Sequence, residues 1–396
     1  MLTLPADHAR QRLLTHQHLH APLPQRGSEG ARALLQHLRM IQLDPLDPLG
    51  TNAELVAWAR VDGLARHQVY DALLPGHAFE HFAKERCLLP AEVFPTWRDH
   101  AAGRRRVQTA TRRSKLPEGV LAAVLDEVRS RGPITARELQ DRGAVEQLDW
   151  SGWKSTGKAT SMALAVLWRE GAVVICGREP SGKRYDVPER ALPHVAHQPS
   201  IPFDPLALHE RVRAAGLLPR ATGPWWSMLT ETRASGLVDR AIADGHLDEV
   251  QIEGSRRTFL TEPGWADGPI APPDDRLRIL APLDPLLWDR KLVEQLFGFR
   301  YVWEVYKPAA TREWGWYVVP LLHRGQLVGR LEGRRCGDVL QIDNVWAEPG
   351  RQLDEVALDH ALERHAEALG LSEVVRPRSL PDGAATDGAP RTSTTL

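Results

Sequence analysis

A glutamine and an aspartate two residues apart, Gln42 and Asp44, are the pair with the clearest catalytic potential in the sequence. They directly follow an apolar segment, residues 31–40, in which leucines recur at helical spacing. A carboxylate beside an amide can act as a base with an orienting group if both side chains enter one cleft. However, an Asp before a proline such as Pro45 is also a common turn initiator. The spacing alone therefore favours the simpler interpretation, a helix end followed by a turn.

A second motif, residues 152–159, has the GxxxxGK spacing of a phosphate-binding loop. Ala159 stands where the Mg²⁺-binding Ser or Thr is required, and no buried strand precedes the motif. We therefore expect no nucleotide cofactor and interpret the segment as a glycine-punctuated loop before a helix. If that helix enters a DNA groove, Lys154, Ser155 and Lys158 would lie near phosphates.

Metal chemistry has weak support in the sequence. His16, His18 and His20 alternate in one loop, but no carboxylate and no second cluster accompanies them. The three cysteines lie far apart without a CxxC pair, which argues against both a thiolate zinc site and a disulfide framework. We therefore expect neither a metal nor an organic cofactor.

Positive charge is concentrated in one short segment, residues 101–115. Its six basic side chains, with no acidic one among them, are Arg104, Arg105, Arg106, Arg112, Arg113 and Lys115. The whole chain of 396 residues carries 50 basic and 51 acidic residues, which excludes a uniformly basic nucleic-acid protein. A solvated helix face or a charged linker could explain the cluster, but the lack of acidic compensation favours phosphate contact.

Composition indicates a globular protein of two or three domains, with 42% hydrophobic and 26% charged residues. No run of 18 apolar residues and no signal-peptide core occurs, so we expect no membrane association and a cytoplasmic location. The tryptophans at 153, 225 and 226 lie in predicted loops, where they could stack on nucleotides. Anchoring of those loops is the favoured interpretation, since buried aromatics are commoner.

The elements that must position these residues predict an α+β fold, with tandem winged-helix domains forming a cleft and a C-terminal mixed β-sheet/helix domain. Residues 117–200 show the order helix, Thr-capped helix, helix and hairpin that is typical of a winged helix. The three helices are predicted at 120–131, 136–141 and 160–170. A weaker copy follows, with one continuous helix predicted at 230–244.

The expected divisions of the chain are 1–116, with the Gln-Leu-Asp motif, 117–200, 201–268, 275–372 and a disordered tail at 373–396. A Pro- and Gly-rich linker separates the second winged unit from the C-terminal strands and final helix. We expect a monomer, because several winged units in one chain already supply a two-sided grip on DNA.

Several stretches together resemble one protein family. They are residues 40–90, beginning MIQLDPLDPLGTNAELVAW, residues 183–193, KRYDVPERALP, residues 280–334, beginning LAPLDPLLWDRKLVEQLFGF, and the final helix. In this order they resemble the AlkZ/YcaQ-type winged-helix DNA glycosylases, over roughly residues 5 to 370. Two positions depart from the family pattern. Pro45 stands where Ser or Thr is usual, and residues 81–87 read HFAKERC where a Trp-Gly-His-like stretch is common.

The resemblance implies hydrolysis of the N-glycosidic bond of alkylated purines in double-stranded DNA, and unhooking of interstrand crosslinks. An N7- or N3-alkylated purine is a cationic leaving group, so the main tasks are to stabilise an oxocarbenium-like sugar and to direct water. One branch of the family has the motif Gln-x-Asp, which Gln42 and Asp44 match. This assigns Asp44 as base and stabiliser and Gln42 as the group that positions water, with no cofactor.

The DNA would be held by the basic side chains, with a further candidate in the third matching stretch. The expected contacts are Arg104, Arg105, Arg106, Arg112, Arg113, Lys154, Ser155, Lys158 and Arg290. For Arg290 the alternative is a structural ion pair with Asp289. A hypothesis from another class is a non-enzymatic winged-helix DNA binder or transcription regulator, which the same basic segment would serve. The Gln-x-Asp pair and the C-terminal domain favour the enzyme.

Overall fold

Helices and strands alternate in a mixed α+β structure, described by a computed structural model for residues 2–104, 106–148 and 154–377, with side chains outside 101–108 and 147–155. The helices in these ranges are α1 (Ala6–His16), α2 (Gly27–Leu38), α3 (Asn52–Trp58), α4 (Gln68–Leu73), α5 (Phe94–Arg104), α6 (Arg106–Lys115), α7 (Val120–Arg131), α8 (Ala159–Arg169), α9 (Pro188–Ala191), α10 (Phe203–Ala215), α11 (Thr230–Ala234), α12 (Leu237–Ala243), α13 (Arg290–Phe297) and α14 (Glu355–Leu369).

The strands in the same ranges are β1 (Leu2–Leu4), β2 (Ile41–Gln42), β3 (Ala78–Phe82), β4 (Arg86–Pro90), β5 (Ile134–Thr135), β6 (Ala144–Leu148), β7 (Lys154–Lys158), β8 (Val174–Glu179), β9 (Gly182–Asp186), β10 (Leu218–Pro219), β11 (Asp248–Ile252), β12 (Thr258–Thr261), β13 (Arg278–Ile279), β14 (Val318–His323), β15 (Gln326–Cys336), β16 (Val339–Ala347) and β17 (Glu373–Val375). Their sheet orders are β2-β4-β3, β5-β9-β8, β6-β7, β1-β11-β12-β10 and β13-β14-β15-β16-β17.

Gln42 lies on a strand, so the prediction of a helix end followed directly by a turn is wrong. Helix α2 ends at Leu38, and Arg39 takes the left-handed conformation at φ 59°. The chain then reverses into β2, which pairs antiparallel with β4. The hairpin β3–β4 gave no clear signal in the sequence, because most of its side chains are buried and do not alternate with polar ones.

In residues 117–200, two of the three predicted helices are confirmed, as α7 and α8, and so is the predicted hairpin, as β8–β9. The predicted helix at 136–141 is wrong. Its start is a single turn in which the Glu138 carboxylate accepts from the Thr135 N–H and hydroxyl at 2.7 and 2.8 Å. The chain then turns at Gly143, which has a φ of 88°. The Gly143 N–H donates to the Asp141 carboxylate. A hairpin, β6–β7, then replaces the expected loop.

The following unit also differs from its prediction at one point. The helix expected at 230–244 is broken into α11 and α12, because Gly236 takes a left-handed φ of 73° between them. The hairpin that the sequence predicts from residues 247–252 and 257–261 is confirmed as β11–β12, and β1 from the start of the chain joins it in parallel. Trp225 and Trp226 are buried at 3% and 2% exposure, which confirms that they anchor their loop.

The C-terminal part is a five-stranded sheet with α14, as the sequence indicated, but it ends later than predicted. Residues 373–375 were expected to begin a disordered tail, whereas they form β17, which pairs in parallel with β16. They pair because α14 ends at Leu369 and the left-handed Gly370, at φ 73°, returns the chain to the sheet edge. The rest of the predicted tail, from residue 378, lies outside the described residues. No helix in the described ranges is both long and apolar enough to span a membrane.

A buried ion pair joins the N-terminal and C-terminal parts. The Arg60 guanidinium donates to both carboxylate oxygens of Asp284, at 2.7 and 2.8 Å, and neither side chain is exposed. Arg60 also donates to the backbone carbonyls of Gln17 and Val56, and Asp284 accepts from the Leu286 N–H. Because all these groups are bonded, the pair offsets the desolvation that burial imposes on both charges.

We predict that Asp284→Asn lowers the free energy of unfolding by about 3–5 kcal/mol, since it leaves the buried Arg60 charge without its partner. Denaturant unfolding measures this. The matched control is Asp275→Asn, which breaks an ion pair with Arg324 whose side chains are 86% and 60% exposed and should cost less than about 1 kcal/mol. Equal losses in the two variants would contradict the prediction.

A buried histidine gives a pH prediction. Burial lowers the pKa of His365 to about 4, and its Nε2 bonds to the Leu49 carbonyl at 2.7 Å. Between pH 6.5 and 4 the unfolded chain binds a proton that the folded chain does not, so stability falls as the pH falls. We expect a loss of about 2 kcal/mol at pH 5 from this group. His365→Gln should remove this part of the pH dependence, while His360→Gln, at an exposed position, should leave it unchanged.

Candidate active site and DNA-contact surface

Gln42 is held at its backbone by two different parts of the fold. In β2 it pairs with Cys87 of β4, and its carbonyl accepts from the Asn52 side-chain amide at 2.8 Å. The Asn52 side chain in turn accepts from the Leu283 N–H at 3.1 Å. Gln42 is 6% exposed, so its backbone and most of its side chain have a defined position.

The side chain of Gln42 contacts a lysine that the sequence did not single out. Lys84 Nζ donates to Gln42 Oε1 at 2.9 Å and lies 4.7 Å from the centroid of the Trp288 ring. The Lys84 carbonyl accepts from the Ser227 hydroxyl at 2.8 Å. Burial lowers the pKa of Lys84. The only sequence signal was the departure from the family pattern at residues 81–87, which includes Lys84.

Asp44 lies just beyond β2 and is half-buried. One carboxylate oxygen accepts from the Leu46 N–H at 2.9 Å, in the turn that Pro45 begins. Burial raises the pKa of Asp44, and the Leu46 hydrogen bond only partly opposes this. A carboxylate with a raised pKa is a stronger base, so the local structure suits Asp44 to accepting a proton.

The neighbouring acid, Asp47, has a different environment. Asp47 forms an ion pair with Arg66, whereas Asp44 forms no ion pair with the described part of the chain. Burial and then the charges of Asp44 and Asp47 raise the pKa of Tyr317. Partial desolvation and then Asp44 raise the pKa of Tyr306. Of the two acids in this loop, Asp44 is therefore the one without an ion pair among the described residues.

The predicted basic surface is partly compensated by acids from other elements. Arg113 of α6 pairs with Glu170, which follows α8, at 2.9 Å, and Lys158 pairs with Asp141 at 3.3 Å. Helix α6, which also carries Arg112, packs on α8, and the two pairs lie at opposite ends of α8, with Lys158 before its first residue and Glu170 after its last. Exposed pairs contribute about 0–1 kcal/mol, so both cations can exchange their partner for a phosphate.

Several predicted DNA contacts lie outside what the structure describes. These are Arg105 and the side chains of Arg104, Arg106, Lys154 and Ser155. The backbone does show that 154–158 form β7, paired with β6. The second half of the GxxxxGK segment is thus a strand, and it does not form a loop that wraps around a phosphate.

Arg290 is exposed at the first position of α13. The alternative that it pairs with Asp289 is wrong, because Asp289 forms its ion pair with Arg257 and caps α13 by accepting from the Leu292 N–H at 3.1 Å. No ion-pair partner of Arg290 is found among the residues that the structure describes. A phosphate contact therefore stays a prediction for this residue.

The alternating histidines form a packing cluster. The rings of His16 and His18 lie 5.2 and 4.2 Å from that of His37, centroid to centroid. Burial lowers the pKa of His16 to about 3 and that of His18 to about 4, so both are neutral at pH 7. In the ranges 2–104, 106–148 and 154–377, no group of three or more His, Cys, Asp or Glu side chains could hold a metal ion.

A family model and a solved structure are similar to this chain. The family described as DNA glycosylase AlkZ-like matches residues 35–369, which include Gln42, Asp44 and Asp284. The solved structure of Streptomyces sahachiroi DNA glycosylase AlkZ is similar with a TM-score of 0.58 and 17% identity, covering 94% of this chain and 100% of that chain. At this identity the likeness concerns the fold alone.

The chain belongs to the AlkZ-like DNA glycosylase family. It is a DNA glycosylase, a repair enzyme whose substrate is DNA. The alternative of a non-enzymatic DNA binder is therefore set aside.

Proposed function

We propose that this glycosylase hydrolyses the N-glycosidic bond of purines alkylated at N7 or N3, and that it also unhooks interstrand crosslinks. The observation that carries the proposal is Asp44, a half-buried carboxylate with a raised pKa and no ion pair within the described ranges. It lies two residues from Gln42, in the arrangement of the Gln-x-Asp motif. A carboxylate of this kind suits an oxocarbenium-like transition state, because it both stabilises positive charge and accepts a proton.

The chemistry that we propose needs little beyond these two side chains. An alkylated purine already carries a positive charge, so the C1′–N bond breaks with the electron pair leaving on the base. Asp44 stabilises the sugar cation and accepts the proton of the attacking water, and Gln42 positions that water. We infer that no metal or organic cofactor takes part.

We infer that double-stranded DNA is held in a cleft between tandem winged-helix units, with phosphates near α6, β7 and the start of α8. Support comes from the packing of α6, which carries Arg112 and Arg113, on α8, which directly follows Lys158. The acidic partners of Arg113 and Lys158 are exposed or partly exposed and exchange readily for phosphates. An open cleft would accept a crosslinked or bulky purine that cannot enter a tight pocket. A DNA substrate implies a cytoplasmic, nucleoid-associated location, and we propose that the enzyme acts as a monomer.

We predict that Asp44→Asn lowers base release about 10²- to 10⁴-fold, because the variant keeps the shape but loses the base and the negative charge. The measurement is single-turnover release from duplex DNA containing N7-methylguanine, read as heat- or alkali-cleaved abasic sites. A duplex with a nitrogen-mustard crosslink tests the wider substrate range.

The matched control for this prediction is Asp47→Asn. It removes an acid of the same loop whose charge is already engaged by Arg66, so the rate of base release should stay close to that of the wild type. If Asp44→Asn releases base as fast as the wild type, Asp44 is not the catalytic carboxylate.

We predict that Arg113→Gln weakens DNA binding about equally for all DNA sequences. It should also reduce the slope of log K against log salt concentration by about one. Removing its acidic partner by Glu170→Gln should strengthen binding, since the guanidinium is then left for a phosphate. Fluorescence anisotropy at several salt concentrations measures both effects. Arg324→Gln is the control, because Arg324 is an exposed cation beside the C-terminal sheet. If the salt dependence of DNA binding is the same for Arg113→Gln and the wild type, Arg113 does not contact a DNA phosphate.

A further inference from the structure

We propose that Lys84 is a positioning residue that fixes the Gln42 side-chain amide, so that Gln42 presents its NH₂ group, and not its carbonyl, to the reacting water. The inference rests on the proposed function, in which Gln42 holds that water. It concerns a residue at which this chain departs from the family pattern. The determining contact is the hydrogen bond of 2.9 Å from Lys84 Nζ to Gln42 Oε1.

The chemistry of the two groups decides the orientation of the amide. An ammonium group has three donors and no acceptor, so only the oxygen of the amide can face it. An amide without such a neighbour could rotate by 180° and exchange its donor and acceptor ends. Because Oε1 is taken by Lys84, the end that remains is Nε2. Gln42 Nε2 donates no hydrogen bond to any described residue.

Lys84 is itself held by two segments distant in sequence. Its carbonyl accepts from Ser227, and its ammonium lies 4.7 Å from the centroid of the Trp288 indole. The Trp288 Nε1–H donates to the Leu283 carbonyl at 2.9 Å, which sets the plane of the ring. The π face of the indole favours the charged form of the lysine, the form that only donates. Lys84 is therefore placed to act as a fixed donor.

This orientation gives the water a complete set of contacts. Its oxygen accepts from Gln42 Nε2, and one of its O–H bonds donates to Asp44. The second lone pair is left to attack C1′. As the C1′–O bond forms, the C1′–N bond breaks, the electron pair leaves with the base, and the proton passes to Asp44. If the amide were reversed, its carbonyl would compete with Asp44 for the protons of the water.

The experiment compares Lys84→Met, Lys84→Arg and the wild type on duplex DNA containing N7-methylguanine. Lys84→Met keeps an unbranched apolar chain on Trp288 but has no donor for Gln42. We expect its kcat to fall about 10- to 100-fold with little change in KM, because the water is misplaced while DNA contacts remain. Lys84→Arg keeps a donor and should recover most of the rate. The control is Lys291→Met, since Lys291 is exposed on α13 and should not affect the rate.

A double-mutant cycle with Gln42→Ala separates positioning from general loss of structure. If Lys84 acts through Gln42, adding Lys84→Met to Gln42→Ala causes no further loss of rate. An equal loss in both backgrounds, an effect on KM alone, or a Lys84→Met variant as active as the wild type would each overturn the inference. The inference would also fail if Lys84→Met and Lys84→Arg both lowered the thermal unfolding midpoint and Lys84→Arg did not recover the rate. Failure of the proposed function can be told apart from failure of this inference alone. In the first case the wild type releases no alkylated base and both proposals fail, whereas in the second the wild type is active.

Discussion

The buried ion pair between Arg60 and Asp284 is the constraint on which the site depends. It fixes the segment at 280–288, because each carboxylate oxygen is bonded to the guanidinium and one also accepts from Leu286. That segment supplies the Leu283 N–H to Asn52, which bonds the Gln42 carbonyl, and it places the Trp288 ring against Lys84. The fully buried pair of Arg60 and Asp284 thus fixes the segment that contacts Gln42 in two ways. Asn52 links this segment to the Gln42 backbone carbonyl, and Lys84 links it to the Gln42 side chain. The desolvation cost of burying both charges is offset only when all the hydrogen bonds of Arg60 and Asp284 are formed. The ion pair therefore favours one arrangement of the N-terminal part relative to the C-terminal part.

The two acids of the loop after β2 show how environment assigns roles to identical side chains. Asp47 is engaged by Arg66, and its charge serves the structure. Asp44 is half-buried, which raises its pKa although the hydrogen bond from the Leu46 N–H opposes this, and it has no ion pair with a described residue. Lys84 is close to Gln42 but is not an ion-pair partner of Asp44. Asp44 is thus a carboxylate without an ion pair among the described residues, and the proposed function places it beside the sugar cation.

The near-neutral composition has a structural counterpart on the predicted DNA surface. Glu170 and Asp141 neutralise Arg113 and Lys158 in the free protein. At Arg113, part of the charge of residues 101–115 that has no acidic neighbour in the sequence is thus compensated in three dimensions, by an acid 57 residues away. Such pairs are weak, and a phosphate replaces a carboxylate with little change in the number of charge contacts. This arrangement suits an enzyme that must bind undamaged DNA loosely while it searches for a lesion.

The sequence by itself determined the elements whose patterns are local. The amphipathic helices α7 and α14 and the hairpin β8–β9 follow from periodicity and turn residues, and the Gln-x-Asp pair follows from its motif. Only the tertiary structure decided that Gln42 lies on a strand, that 373–375 extend the C-terminal sheet, and that Lys84 binds the Gln42 amide. Two-residue strands and buried hairpins carry no period of their own and form because a distant partner is present. Lys84 is 42 residues from Gln42, so no local pattern could reveal a contact that depends on the pairing of β2 with β4 and on the place of Trp288.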